Sequence, residues 1–297
     1  MSLDRRTLLK SAAATAAGSA ALPLFSHPRP PTPPRPSAIL TSVKWGMIGV
    51  KTDVMGKFKL MKELGYDGME LVSPLGNLDI AKLLKARDAT GMPIHGVVDM
   101  VHWNKSHRLS SPDPAARERG RKALAQAVRD SHALGGTAVL LVPGVVDKEV
   151  NHDQCWERST TEVSKVLPLC AKLGVHILME NVWNGFCYSP EQTAEYIDGF
   201  NSPWVGSYFD IGNHVKYGKS EHWIRTLGKR IVKLDVKDWG KQNGFCKIGD
   251  GDCNWPEVRK AVAEIGFTGW STAEVRGGDK DRMAEVKERM DRFLVKG

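Results

Sequence analysis

Short apolar runs that end abruptly in a charged or polar residue recur along this chain, separated by stretches with apolar residues at helical spacing. The pattern predicts strands near 44–50, 66–72, 93–100, 137–142, 175–180, 205–210, 231–235 and 269–275. Between and after them it predicts helices over 54–64, 77–90, 114–134, 155–173, 189–197, 223–227, 254–265 and 279–295. Punctuation supports the boundaries. Gly65, Gly91 and Gly135-Gly136 stand where helices should stop, and Ser111-Pro112-Asp113-Pro114 supplies a cap and first turn. Strand and helix alternating eight times argue for parallel strands with crossover helices. No G-x-G-x-x-G or G-x-x-x-x-G-K motif follows any strand. A nucleotide-binding open sheet is therefore the weaker option, and the expected fold is a (β/α)₈ TIM barrel, a single domain.

The N-terminus breaks this pattern. Asp4-Arg5-Arg6-Thr7-Leu8-Leu9-Lys10 precedes a weakly apolar run over 11–24, the form of a twin-arginine export signal. Seven of the 16 prolines then fall between Pro23 and Pro36, which predicts an extended tether. The expected organisation is a signal over 1–26, a Pro-rich linker over 27–38 and the barrel over 39–297. Export by the twin-arginine translocase would place the protein in the periplasm or at the cell surface. Arg5, Arg6, Lys10, Arg29 and Arg35 against Asp4 put half of the +8 net charge within residues 1–38. The remainder carries no Lys/Arg block, so neither nucleic acid nor a membrane surface is an expected partner. The five cysteines form no C-x-x-C pair, which argues against a zinc knuckle and for free thiols.

Candidate chemistry lies at the ends of the later strands. V-H-I-L-M-E ends in Glu180, V-G-S-Y-F-D in Asp210, I-V-K-L-D in Asp235 and W-S-T-A-E in Glu274. A barrel of this type collects catalytic groups at the C-terminal ends of its strands. Buried carboxylates are costly unless paired or metal-bound. Four of them in one ring suit one divalent metal ion, Mn²⁺ or Mg²⁺ before Zn²⁺. Around them, Glu70, His102, Trp103, Trp183, His214 and Arg276 are the expected substrate-binding residues, with Phe186 and Trp239 as further loop aromatics. Lys237 is close enough in sequence to pair with the ring. His95 is expected to be a core histidine.

From Lys44 onward the chain resembles the xylose isomerase-like TIM-barrel superfamily of sugar isomerases and epimerases. The resemblance rests on G-Y-D-G-M-E-L-V (65–72), Glu180-Asn181, F-D-I-G-N (209–213), L-D-V-K-D (234–238), I-G-D-G-D-C-N-W (248–255) and G-F-T-G-W-S-T-A-E-V (266–275). It implies one divalent metal held by Glu180, Asp210, the residue at 235 and Glu274, with Glu180 and Glu274 moving a proton on the substrate. At 235 the chain departs from the family's H-x-K-D and has Asp235-Val236-Lys237-Asp238. An extra negative charge there favours a hard cation. The expected activity is a metal-dependent sugar isomerase or epimerase working through an enediolate on a small carbohydrate. The alternatives are a lyase or dehydratase on keto-sugars or keto-glycosides at the same site, and a non-catalytic sugar-binding barrel. Self-association into a homo-oligomer is compatible with the sequence.

Overall fold

The computed structural model describes residues 38–296. The signal expected over 1–26, and all but the last residue of the linker expected over 27–38, lie outside them. The barrel strands are β1 (Ile39–Lys44), β2 (Gly68–Ser73), β3 (Ile94–Asp99), β4 (Ala138–Leu141), β5 (His176–Glu180), β6 (Val205–Asp210), β7 (Ile231–Val236) and β10 (Gly269–Ala273). They close in the order β1-β10-β7-β6-β5-β4-β3-β2, every pairing parallel. A short antiparallel hairpin, β8 (Asp238–Gly240) with β9 (Gly244–Cys246), stands outside the barrel after β7. The expected TIM barrel is therefore the observed fold.

The surrounding helices are α1 (Val54–Glu63), α2 (Ile80–Thr90), α3 (Pro114–Leu134), α4 (His152–Ser164), α5 (Leu167–Leu173), α6 (Pro190–Asp198), α7 (Ser220–Leu227), α8 (Trp255–Glu264) and α9 (Lys280–Met290). Polar caps set several starts. Asp53, Asp79, Asp113, Ser189, Asn254 and Asp279 each accept a hydrogen bond from a backbone N–H of the first turn. Asn151 and Gln154 form a reciprocal capping box. No helix among the described residues is long and apolar enough to cross a membrane.

Two elements differ from expectation in ways that matter. The single helix expected over 155–173 is two, α4 and α5, because Pro168 in the first turn of α5 cannot continue a hydrogen-bonded helix from α4. The first strand is Ile39–Lys44 rather than 44–50. Its residues pair with Gly269–Ala273 on one side and Gly68–Glu70 on the other, and Trp45–Met47 then forms a 3₁₀ turn. Lys44 consequently ends a strand instead of beginning one.

Strand parity places the interior. Alternate residues of each strand face the lumen, which pairs Ser42 with Lys44, Leu178 with Glu180, Tyr208 with Asp210, Lys233 with Asp235 and Thr272 with Glu274. One side of the lumen is apolar, filled by Val98, Ala138, Leu140 and Leu178 against the Tyr208 ring. The other side is a continuous hydrogen-bonded column. Lys233 Nζ donates to the His95 carbonyl at 2.7 Å and lies 2.8 Å from His95 Nδ1. His95 Nε2 meets Ser42 Oγ at 2.7 Å, and Ser42 Oγ meets Thr272 Oγ1 at 2.8 Å. Thr272 Oγ1 meets the Tyr208 hydroxyl at 2.7 Å, and that hydroxyl donates to Glu70 Oε1 at 2.9 Å. An ammonium can only donate, so His95 Nδ1 accepts and its Nε2–H donates onward. Every hydrogen in the column then points toward Glu70. His95, stacked on Trp270 at 4.5 Å, is a satisfied core histidine.

Candidate active site

The four carboxylates expected from the strand ends meet. Glu180, Asp210, Asp235 and Glu274 each offer an oxygen, and these oxygens lie within 4.8 Å of one another. They come from β5, β6, β7 and the end of β10, neighbours in the barrel order, so the two glutamates flank the two aspartates.

Backbone and amide contacts hold the ring rigid. Asn181 Nδ2 donates to the Asp210 carbonyl at 2.9 Å, and Asn181 Oδ1 accepts from Asp210 N at 2.7 Å. Asp210 Oδ1 accepts from Gly212 N and Asn213 N, both at 2.8 Å, which aims Oδ2 into the ring. Gly212 is required here, since a Cβ would come within 2.7 Å of the Lys237 backbone. Asn213 Nδ2 donates to Glu180 Oε1 at 3.2 Å and to the Asn181 carbonyl at 2.9 Å. Asp238, the last residue of L-D-V-K-D, faces away from this chemistry. Its carboxylate accepts from Trp239 N, Gly249 N, Cys253 N and Trp255 Nε1, and so wraps the I-G-D-G-D-C-N-W loop around itself.

Two ammoniums enter the ring. Lys237 Nζ lies 3.0 Å from Asp210 Oδ2, 2.8 Å from Glu274 Oε2 and 3.1 Å from Asn213 Oδ1. Lys44 Nζ lies 2.9 Å from Asp235 Oδ2, 3.2 Å from Glu274 Oε1 and 3.7 Å from Glu70 Oε2. Sequence reasoning missed Lys44, and the signal it overlooked was the Ser42/Lys44 alternation of the true first strand. Five carboxyl groups thus surround two ammoniums.

The two glutamates are in opposite electrostatic settings. Burial and the neighbouring Glu274 push Glu180 up to about 8. Burial also works against an ionised Glu274, but Lys44 and Lys237 outweigh it and hold that carboxyl at about 2. Burial raises Asp210 to about 6, and burial with the surrounding carboxylates raises Asp235 well above the usual range. Such opposed settings separate an acid from a base.

The ring fits a divalent cation. Asp235 Oδ1 is buried without a hydrogen-bond partner, and Asp210 Oδ2 and Glu274 Oε2 face Lys237 off the hydrogen-bonding direction. Orphaned buried carboxylate oxygens converging on one point are the donor set of a hard metal.

The other expected site residues divide. A cavity of 570 Å³ opens beside Glu274, lined by Arg276, Lys237, Phe245 and Val275 among others. Arg276 is exposed there. His102 is buried at the mouth, its Nδ1 accepting from Val142 N at 3.2 Å, so its proton sits on Nε2. Burial and then Lys44 depress it to about 3, keeping it neutral. Trp103 is 45% exposed with its edge against His102. Trp183 is partly exposed, stacks on Phe245 at 4.9 Å, and donates from Nε1 to the Asn213 carbonyl. The unexpected β8–β9 hairpin carries Phe245 to that position. Trp239 meets Trp183 edge-on, whereas Phe186 is buried against Trp156 and Tyr196. Glu70 is buried between Tyr208 and Lys44 rather than turned to the cavity.

His214 corrects an expectation. It has no exposed surface and is not among the groups facing the cavity. The chain turns after Asp210, with Tyr217 N and Gly218 N bonding back to the His214 carbonyl, and tucks the ring against Trp223 at 4.3 Å. Neither ring nitrogen has a partner, and burial lowers its pKa to about 4. An unfolded histidine titrates near 6.5, so the unfolded chain takes up this proton first as pH falls. The His214 contribution to stability is whole above pH about 6.5 and is lost as pH falls toward 4. We expect His214→Phe to remove that loss, about 3 kcal/mol across the window. Asp99, raised to about 7 by burial, titrates in the opposite sense in both proteins and cancels in the difference. Denaturant titrations from pH 4 to 7 check this; parallel pH dependences for the two proteins would count against it.

The fold and site together define a (β/α)₈ barrel with an acidic, cation-ready centre at the C-terminal ends of its strands. Residues 58–295 match the family model described as xylose isomerase-like TIM barrel, and the chain belongs to that family. It is 24% identical over 225 residues to the D-psicose 3-epimerase of Ruminiclostridium cellulolyticum, covering 70% of this chain and 73% of that protein. It is 24% identical over 255 residues to the L-ribulose-5-phosphate 3-epimerase UlaE of Escherichia coli, covering 79% and 87%. The crystal structure of a D-allulose 3-epimerase from Methylomonas sp. in complex with D-allulose superposes with a TM-score of 0.71 at 15% identity, covering 88% of this chain and 99% of that one.

Proposed function

We propose that this chain is a metal-dependent epimerase or isomerase of keto-sugars. The observation that carries the reading is the ring itself, with a glutamate on each side of two aspartates. Its relation to two sugar 3-epimerases supports the substrate class. Glu180, Asp210, Asp235 and Glu274 would hold one Mn²⁺ or Mg²⁺, and such an ion would supply Lewis-acid polarisation of a carbonyl and its neighbouring hydroxyl oxygen. Glu274, paired with Lys237 at 2.8 Å, would take the proton next to the carbonyl. Glu180, on the opposite side, returns a proton to the other face of that carbon or to its neighbour. Asn213, bonded to Glu180 and Lys237, keeps the two sides in register. Neutral His102 offers its Nε2–H at the mouth, Arg276 borders the cavity, and Trp103 and Trp183 provide flat apolar faces for a sugar ring. The test is incubation with free keto-sugars and 3-keto-glycosides in D₂O. Deuterium next to the carbonyl in an epimeric or isomeric product supports the reading. Turnover without any exchange, where solvent reaches the base, overturns it.

The same proposal includes export by the twin-arginine translocase, resting on Arg5-Arg6. Because that signal is read by a receptor, Arg5→Lys with Arg6→Lys is expected to leave the protein in the cytoplasm. Fractionation finding undiminished export of the double variant would assign the leader to another type.

A further inference from the structure

The Lys44 ammonium sits on two of the carboxylates that a cation would need, through the oxygens opposite the orphaned ones. It bonds Asp235 Oδ2 at 2.9 Å and lies 3.2 Å from Glu274 Oε1. A third carboxylate is close but unused. Glu70 Oε2 is buried, has no hydrogen-bond partner, and sits 3.7 Å from Lys44 Nζ, just outside bonding distance. A buried carboxylate oxygen without a hydrogen bond is expensive, and here only the Lys44 charge at 3.7 Å offsets it. Its companion Oε1 accepts from Tyr208, whose hydroxyl ends the directed column that begins at Lys233. A move of about 1 Å would bring Lys44 to a charge-assisted bond with Glu70. Lys237 has no such second carboxylate, since its other partner is the neutral Asn213 amide.

We infer that Lys44 is a positioning residue with two berths, on Asp235 and Glu274 without a bound cation and on Glu70 once a divalent cation enters the ring. Like charges crowded onto the same two carboxylates repel each other, so the incoming ion pushes the ammonium away, and the buried Glu70 receives it. The device also accounts for Asp at 235. Its extra charge is matched by Lys44 in one state and by the dication in the other. The inference rests on the ring being a divalent-cation site, and it extends that reading to residues that would not touch the ion.

The experiment is Mn²⁺ titration by calorimetry of the native protein and of Glu70→Gln, Tyr208→Phe, Lys44→Met and the Lys44→Met/Glu70→Gln double variant. Glu70→Gln should weaken Mn²⁺ about tenfold or more, the worth of a lost charge-assisted hydrogen bond. In the Lys44→Met background the same substitution should change affinity by no more than about twofold. Tyr208→Phe removes no charge and should still weaken binding, because Glu70 is no longer held for Lys44. Equal loss from Glu70→Gln in both backgrounds would mean that Glu70 acts only as a distant negative charge, and would overturn the inference. Where Lys44→Met does not fold, Tyr208→Phe decides: native affinity in that variant overturns the two-berth arrangement. A native protein that binds no Mn²⁺ would instead remove the metal reading itself, and this inference with it.

Discussion

Glu274→Gln and Glu180→Gln are each expected to lower kcat on the true keto-sugar by about 10²–10⁴-fold, the usual worth of a positioned acid or base. Glutamine keeps the shape and one oxygen of each side chain but cannot carry the proton. The two losses should not add. A proton must both leave and arrive, so removing either group stops the same sequence, and the double variant should be little worse than the worse single one. The variants should differ in exchange. With the base lost, Glu274→Gln should place no deuterium in substrate or product. With the returning acid lost, Glu180→Gln should still wash deuterium into recovered substrate if Glu274 is the base. Both glutamates are also ring members, so cation occupancy has to be measured on each variant. Full turnover by either variant at native occupancy would end the two-glutamate mechanism. An unsaturated product from the native enzyme would redirect the same proton abstraction to elimination.

The second large effect is on cation binding. The native protein should take up one Mn²⁺ per chain and gain about 2.7 kcal/mol of stability at a hundredfold excess over Kd. That corresponds to a rise in Tm of about 5–10 °C for a chain of this size. Asp210→Ala should weaken Mn²⁺ by more than about a hundredfold, beyond what is lost when only a supporting hydrogen bond to a ligand is removed. The reason is local: Asn181, Gly212 and Asn213 consume every other polar atom of this residue, so nothing nearby can replace Oδ2. Asp235→Ala should weaken binding comparably. Asp235→His should retain the ion and shift preference toward softer metals such as Zn²⁺ or Co²⁺. Calorimetry with Mn²⁺ and Zn²⁺ on the three variants reads this directly, and an alanine at 210 or 235 with native affinity would move the centre elsewhere.

Glu180, Asp210, Asp235 and Glu274 could be found from sequence because each ends an apolar run that only a buried strand explains. Their meeting follows from the closure of the sheet. Glu70 was legible as a strand-end carboxylate, but its role was not, because its partner Tyr208 is 138 residues away. Lys44 was hidden by a boundary. K-W-G-M-I-G-V looks more strand-like than the stretch emerging from the prolines, yet Ile39–Lys44 is the segment that pairs on both sides. His214 was drawn to the site by its nearness in sequence to Asp210, and the turn after that aspartate sends it into the core instead. The hairpin that brings Phe245 to the mouth gives only three residues per strand, too short a period to read.

By itself the sequence determined the alternation of strand and helix, the closed parallel architecture and the four strand-end carboxylates. These follow from local periodicity and from the cost of burying charge, both of which act on neighbouring residues. Only the tertiary structure decided which cations those carboxylates face, which glutamate has two ammoniums beside it, and which polar side chains line the lumen. Strand parity and register across eight separate segments set these contacts, and a shift of one residue in any strand turns its side chains to the other face. Lys44 reaching Asp235, and Lys233 reaching Glu70 through four intervening side chains, are products of that closure.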